Sequence, residues 1–433
     1  MKKIVLGFSL VTFGVWILGF WLVPPANHAR ALVHEIHYVT GLLAWGYMAL
    51  AIAIAARPSW LERVTKTGLD KLYLWHRYLG IGAVVLSIVH YFGRQIGEVV
   101  LSGMTLDPVP AMARSGEGLP MLQALWVTLR TFLVDSSLWL TLVVIALTAL
   151  CFVKAISYTK WLKTHRLFPI LFLLLVPHSI LLMEPSDAFT PLGWLNVAVT
   201  AFGVYYSIIC LKSGVGKEKS VTSKIVNISV KNGVSRLSIK SDIPMKVIPG
   251  QFVFLTSRDG EKHPFSVAGI DSDGTIELLV KALGDYTTDE VPQLKIGDTV
   301  TIEGPWGRFV LDKTAKRQEW VAAGIGIAPF CAWLASLGFD RTNDSQIRLH
   351  WCVKDRVTEP MMAQVQELAA RAKVQLSVYD KSVERFDPKA MFGTAMPDVV
   401  AVCAGQKMAD SVGSAWNATG RNGKLMREFF DWR

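Results

Sequence analysis

The chain has 433 residues, 51% of them hydrophobic, with 45 Lys and Arg against 35 Asp and Glu. That length allows two or three domains, and the positive mean hydropathy averages an apolar first half with a soluble-type second half that begins after about Lys212. The net charge of +10 does not point to nucleic acid, because much of the excess lies in short loops beside apolar runs, where positive-inside topology accounts for it. The five cysteines form no Cys-x-x-Cys, which argues against an iron–sulfur cluster or structural zinc and fits a reducing compartment for the second half.

Six apolar runs lie near residues 4–23, 38–56, 72–92, 136–157, 167–183 and 191–211. Each approaches the roughly 20 residues that cross a hydrocarbon core of about 30 Å. Lys2 and Lys3 precede the first run as in a signal peptide, but it is Trp-rich, ends in "WLVPP" and lacks a small-residue cleavage site; it is expected to remain as a span. Cations then alternate sides: Lys2, Lys3, Arg57, Arg63, Lys66, Lys71, Lys154, Lys160, Lys163, Arg166, Lys212, Lys217 and Lys219 share one side. This places the N-terminus and the second half in the cytoplasm, in a multi-pass protein of a bacterial-type inner membrane. Residues 93–135 contain Pro and Gly with little periodicity, and no structure is assigned to them.

The third run carries His76 and His90, fourteen residues apart, and the fifth carries His165 and His178, thirteen apart. At 1.5 Å per residue each pair is separated by roughly 20 Å along its helix. Two parallel spans thus offer one facing pair near each membrane surface. Haem iron accepts two axial imidazoles, and a flat macrocycle fits between helices. The pattern predicts two b-type haems, His76 with His165 on the inner side and His90 with His178 on the outer. Intramembrane ionisable groups are costly and usually functional. Thirteen residues leave a regular helix about 140° out of phase, so Pro169 and Pro177 are expected to turn His178 toward His90. Arg77 and Arg166 follow the inner histidines and suit either membrane anchoring or haem propionates. Arg94 lies one turn beyond His90, where it could meet an outer propionate or an anionic acceptor. His28, His34 and His37 fall in the outer loop, either over the outer haem or as surface histidines.

From about Val221 the pattern changes to short alternating strands. "NISVKNGVSRLSIK" predicts a hairpin turning at Asn232-Gly233, and "GQFVFLTS", "HPFSVAG" and "TIELLVKA" extend it into a small antiparallel barrel ending near Asp312. "EWVAAGIGIAPFCAWLASL" then reads as strand, glycine turn and helix. The alternation continues through "IRLHWCVKD", "MMAQVQELAARA", "VQLSVY" and "DVVAVCAG", the pattern of a parallel α/β nucleotide fold. Gly324 and Gly326 would let backbone amides approach a pyrophosphate at a helix N-terminus, with Pro329 in the first helical turn. Lys354 and Arg356 follow the "IRLHWCV" strand, where cations suit a 2′-phosphate and so NADPH rather than NADH, although Asp355 sits between them. There is no Asp-x-Asp-x-Asp-Gly loop for intrinsic calcium control.

"HPFS" (His263–Ser266), "VKALGDYT" (Val280–Thr287, with Lys281), "GPWG" (Gly304–Gly307), "GIGIAP" and "REFFDWR" resemble the ferredoxin-reductase-type flavoprotein module. Together with the four-histidine membrane half, nearly the whole chain resembles the NADPH oxidase and ferric reductase superfamily. The resemblance implies an α-helical membrane domain of six transmembrane helices with two haems b (1–215), an antiparallel β-barrel FAD domain (216–315) and an α/β NAD(P)H-binding domain (316–433). It implies that His263, Pro264, Phe265 and Ser266 line the flavin, Ser266 near its redox nitrogen. Lys281, Gly284 and Thr287 would lie by the FAD phosphates, and Gly324, Gly326, Pro329, Cys403, Gly405 and Gln406 would hold the nicotinamide nucleotide. Phe430 or Trp432 would cover the flavin. "CAGQ" stands where such proteins frequently have Cys-Gly-Pro. The implied activity moves electrons from cytoplasmic NAD(P)H across the bilayer to oxygen, to a ferric chelate or to a periplasmic redox protein, with Ser266, Cys403, Phe430 and Arg94 nearest the chemistry.

Overall fold

The computed structural model describes residues 1–22, 28–102, 120–153, 155–183, 188–212, 214–258, 260–339, 345–392, 397–420 and 423–428. The chain divides into two compact units, one formed by Met1–Lys66 with Leu72–Val215, the other by Gly216–Trp432 with Thr67–Lys71.

The first unit is helical: α1 (Lys2–Leu22), α2 (His28–Ala56), the short α3 (Leu61–Thr65), α4 (Leu69–Ser102), α5 (Met121–Cys151), α6 (Tyr158–His165), α7 (Phe168–Leu181) and α8 (Pro191–Leu211). Among the described residues six stretches are long and apolar enough to cross a membrane: Lys2–Gly19, Ile36–Ala56, Leu69–Gly97, Met121–Cys151, Lys160–Leu181 and Pro191–Leu211. The fourth starts well before residue 136, and α4 runs on to Ser102. The reason is local. The prolines between residues 93 and 135 are Pro108, Pro110 and Pro120, so the flanking segments can stay helical, and Pro120 is the N-cap of α5. Residues 103–119 lie outside the described set.

In lipid, apolar surface drives no association between helices, so packing and polar contacts must do so. Trp45 of α2 stacks on Phe172 of α7 with centroids 3.8 Å apart and donates to Thr200 Oγ1 of α8 at 2.9 Å. Ser179 Oγ donates to Asn196 Oδ1 at 2.9 Å, and Asn196 Nδ2 donates to Ser179 O at 3.0 Å. The fifth span is interrupted at Arg166-Leu167, between α6 and α7. Pro169 therefore sits in the first turn of a new helix, where its missing N–H costs nothing. The re-phasing of His178 comes from that interruption together with Pro177 inside α7, and Pro169 does not itself kink a helix.

The second unit opens with six strands, β1 (Ser220–Lys231), β2 (Val234–Ser241), β3 (Phe252–Thr256), β4 (His263–Ile270), β5 (Ile276–Lys281) and β6 (Thr299–Trp306), closed into an antiparallel barrel in the order β1-β2-β5-β4-β3-β6. Closure removes exposed sheet edges. The β1–β2 turn has Asn232 at φ 47° and Gly233 at φ 73°, the two left-handed residues that match the twist of a tight hairpin. Ile225, Leu237, Val253, Val267, Leu278 and Ile302 fill the barrel.

A separate parallel sheet follows, made of β7 (Arg317–Ala323), β8 (Gln346–Val353), β9 (Gln375–Asp380), β10 (Val399–Cys403) and β11 (Lys424–Arg427), in the order β11-β10-β7-β8-β9. Helices α9 (Ala328–Phe339), α10 (Met362–Arg371) and α11 (Gln406–Ala418) connect it. The chain moves outward from β7 to β9, then crosses to β10 on the other side of β7. The switch point is therefore between β7 and β10, and ligands of such sheets bind beyond the carboxyl ends of the strands that flank it. Those ends are Ala323, leading into Gly324, and Cys403.

Candidate functional site

In the membrane unit the four histidines meet in two pairs. The rings of His76 and His165 have centroids 5.6 Å apart at 62°, and those of His90 and His178 are 6.3 Å apart at 73°. Two imidazole nitrogens each ~2 Å from a shared metal put their ring centroids about 6 Å apart, so both separations suit one bridging ion. Among the described residues no group of three or more His, Cys, Asp or Glu gathers as metal ligands. Two imidazoles are enough only for a metal that brings its remaining ligands with it, as haem iron does with the porphyrin nitrogens.

The hydrogen bonds of these rings also fit ligation. His76 Nδ1 lies 2.9 Å from Ala51 O, and His90 Nδ1 lies 2.7 Å from His37 O. A carbonyl oxygen only accepts, so Nδ1 carries the proton in both rings and Nε2 keeps its lone pair. Metal-binding histidines are held in this way. On the facing helices, His165 Nδ1 is 3.3 Å from Cys151 Sγ, and the buried His178 Nδ1 has no hydrogen-bond partner among the described residues. The two carbonyls belong to α2 and are themselves fourteen residues apart, matching His76 and His90 on α4. Nothing in the apolar run of α2 marks it as the helix that orients the imidazoles; the equal spacing is its one trace in the sequence.

In the second unit, side chains far apart in sequence converge where the barrel meets the sheet. Ser266, buried on β4, donates through Oγ to Glu428 Oε2 at 3.2 Å. Cys403 at the end of β10 donates through Sγ to the same oxygen at 3.6 Å. Burial holds the Glu428 carboxyl well above the ordinary carboxylate range, and burial likewise pushes the Cys403 thiol up. Burial thus favours the protonated form of Glu428, and its Oε1 has no hydrogen-bond partner among the described residues. Glu428 was missed from sequence, although it is one of the two acidic residues inside "REFFDWR".

Gly326 closes the approach from β7: a Cβ there would lie 2.2 Å from Cys403 O. Gly324 takes φ 51°, its carbonyl accepts from Trp351 Nε1 at 3.1 Å, and its missing Cβ would lie 3.8 Å from Lys281 Nζ. Pro329 is in the first turn of α9. Ser266, Cys403, Glu428, Gly324, Gly326 and Lys281 thus gather around the switch point, with a buried acid at the centre and a cation beside the glycine turn.

Residues 40–176 match the family described as ferric reductase like transmembrane component, and residues 220–311 match the oxidoreductase FAD-binding domain. Dual oxidase 2 of Rattus norvegicus is 24% identical over 355 residues, covering 72% of this chain and 22% of that protein. Dual oxidase 1 of Homo sapiens is 24% identical over 305 residues, covering 63% and 18%. Respiratory burst oxidase homolog protein G of Arabidopsis thaliana is 23% identical over 378 residues, covering 73% and 44%. The chain thus joins a ferric-reductase-like transmembrane component to an oxidoreductase FAD-binding domain and is similar to the dual and respiratory burst oxidases. Its architecture is that of an oxidoreductase of this type, although it spans less than half the length of these relatives.

Other residues expected to act in this superfamily are placed less uniformly. Pro264 and Phe265 lie on β4 beside Ser266. His263 stacks on Tyr286, with centroids 3.5 Å apart at 8°, and Tyr286 Oη lies 3.0 Å from Ser257 Oγ. Tyr286, inside "VKALGDYT", was not singled out from sequence. The loop at Gly284 is closed on itself, since Leu283 N and Gly284 N donate to Thr287 Oγ1 at 2.9 and 3.0 Å. Gly405 is the N-cap of α11, and Gln406 Nε2 donates along that helix to Asp410 Oδ2 at 2.9 Å. Lys354 is exposed just beyond β8. The Arg356 guanidinium donates to Val378 O, and its backbone N–H donates to Asp380 Oδ2 at 2.8 Å, so this cation is engaged with β9. Phe430, Trp432 and the side chain of Arg94 lie outside the described residues, as do the side chains of His28 and His34.

Proposed function

We propose that the chain is a transmembrane flavocytochrome that carries electrons from cytoplasmic NAD(P)H to an acceptor on the opposite face of the membrane, reducing oxygen to superoxide. The histidine pairs carry this reading: two imidazoles face each other at a metal-bridging separation, twice, about 20 Å apart along α4. When bound, FAD converts a hydride into single electrons and two b-type haems relay them through the bilayer. His76 and His165 would hold one haem, His90 and His178 the other. Residues 1–215 form the haem-bearing domain, 216–315 the FAD domain and 316–433 the NAD(P)H domain. The alternating cations from Lys2 to Lys219 support a cytoplasmic N-terminus and a cytoplasmic nucleotide site, in a bacterial-type inner membrane.

The residues at the switch point divide the work. Phe265 and the stacked His263–Tyr286 pair offer a flat wall for a flavin ring. Ser266 presents a hydroxyl beside the buried Glu428 carboxyl, which burial biases toward its protonated, uncharged form and which becomes a carboxylate when it passes that proton on. Cys403 and Gly326 set the floor under the nicotinamide, and Lys281 counters phosphate charge. Gly284, Thr287, Gly405, Gln406 and Pro329 shape the surrounding loops, while Lys354 favours NADPH. Phe430 or Trp432 would cover the flavin, and Arg94 would draw anionic species to the outer pair.

Oxygen is favoured because the matched relatives are named oxidases. The second reading, a ferric-chelate reductase, is favoured by the family match over residues 40–176. A reduced-minus-oxidised spectrum of the purified chain with NADPH, followed by superoxide and iron(II) assays, separates them. Superoxide without iron(II) formation supports the oxidase, the reverse supports the reductase, and turnover only with an added redox protein would overturn both. Absence of NADPH-reducible haem would overturn the flavocytochrome reading itself.

A further inference from the structure

His37 stands outside the four-histidine set yet packs directly on one of its members. Its ring stacks on His90 with centroids 3.7 Å apart and planes 15° apart. Its Nδ1 donates to His90 O at 2.7 Å, while His90 Nδ1 donates to His37 O at 2.7 Å. Each residue uses its side chain to bind the other's backbone, so α2 and α4 are joined by a closed pair of hydrogen bonds around two stacked rings. Gly41, one turn along α2, supplies the adjoining wall: a Cβ there would lie 2.7 Å from His90 Cε1 and 2.8 Å from its Nδ1.

The other three imidazoles are held differently. His76 has a carbonyl partner but meets Tyr73 only edge-on, with centroids 6.3 Å apart. His165 stacks on Trp161 at 5.0 Å and reaches only a thiol. His178 Nδ1 has no partner among the described residues. His90 is thus the most constrained of the four, and His37 is the side chain that constrains it.

We propose that His37 is a positioning residue for the His90–His178 pair, fixing the rotation and donor strength of the His90 imidazole and thereby the redox potential of one haem and not the other. This rests on the haem assignment above. A hydrogen bond from Nδ1 raises the basicity of a ligating imidazole, and a more basic ligand favours the ferric state. When the stack is lost the ring is free to turn, its bond to the His37 carbonyl weakens, and ferrous iron gains. Histidine combines a flat ring with an Nδ1–H donor: phenylalanine keeps the ring alone, and alanine keeps neither.

The test is a redox titration with low-spin electron paramagnetic resonance on the full-length wild type, His37→Ala, His37→Phe and His90→Ala. His37→Ala is expected to retain two haems, to raise the midpoint potential of one and alter its resonance signal, and to leave the other unchanged. His37→Phe is expected to shift the same haem by less. Selective loss of that haem in His37→Ala, with the other intact, also supports the proposal. Unchanged potentials and signals in both variants, or equal shifts in both haems, would overturn it. If His37→Ala fails to accumulate, His37→Phe decides by the same criterion. Two unaltered haems in His90→Ala would sink the ligand assignment itself, a failure distinct from that of the His37 proposal.

Discussion

The two units build their sites in opposite ways. In the membrane unit every residue of interest lies on a helix crossing an apolar slab, so sequence spacing translates directly into depth. His76 and His90 on α4, and the carbonyls of Ala51 and His37 on α2, share one fourteen-residue interval. In the second unit the site forms where a barrel strand meets the ends of a parallel sheet. Ser266 and Glu428 are 162 residues apart, and Cys403 and Glu428 are 25 apart. A helical membrane site is periodic and can be read along the chain, whereas a site at a topological switch point exists only after the strands are ordered.

This contrast predicts separable losses in the first unit and coupled ones in the second. The largest effect is expected from His76→Ala/His165→Ala. Acceptor reduction should be abolished while NADPH still bleaches the flavin, and acceptor reduction surviving in that variant would break the comparison. Next is Glu428→Gln, expected to slow NADPH-dependent flavin reduction roughly 100-fold in stopped flow, the scale of a lost proton-transfer group. The same substitution should also change stability. Because burial holds the Glu428 pKa above its unfolded value, the folded chain keeps a proton that the unfolded chain releases. Stability therefore falls as pH rises from about 4.5, by at most about 1.4 kcal/mol per unit. Glu428→Gln removes that dependence, so its flavin-release temperature should gain on the wild type more at pH 8 than at pH 5.

A smaller effect is expected from Gly326→Ala, whose Cβ would press on Cys403 O. It should destabilise the second unit by about 1–3 kcal/mol and weaken nucleotide binding, as seen by flavin release and a raised KM. Lys354→Ala should raise the KM for NADPH roughly fivefold, the range of an exposed ion pair, and leave NADH unaffected; a wild type using NADH as efficiently as NADPH would refute the preference. The smallest effect concerns cyanide and carbon monoxide. If each haem iron takes two imidazoles, as proposed, no coordination position is left open, and neither should alter turnover or the reduced spectrum. Potent inhibition with a spectral shift would show that one pair is misassigned.

The six spans, the Asn232-Gly233 hairpin and the β7–Gly324–α9 turn were legible in the sequence because each depends on local chemistry: apolar length, left-handed turn residues, a glycine followed by a helix. The meeting of the four histidines in two pairs was legible for the same reason, although the cause of the re-phasing of His178 was not. Pro169 looked like a kink and is a helix start, because the interruption falls at Arg166-Leu167. The residues that orient the histidines were illegible, since a backbone carbonyl carries no residue type and His37 looked like a loop histidine. Glu428 was hidden because its meaning comes from Ser266 and Cys403. Arg356 was chosen by position after β8, but its guanidinium turns toward Val378 O, a competition that spacing does not record.

The central claim is that four histidines on two spans each give one ligand to one of two haems, and haem quantification in the purified full-length chain tests it most directly. Two haems b per chain are expected in the wild type and one in His90→Ala/His178→Ala, with the flavin still reducible by NADPH in both. Two haems remaining in the double variant, or none in the wild type, would contradict it.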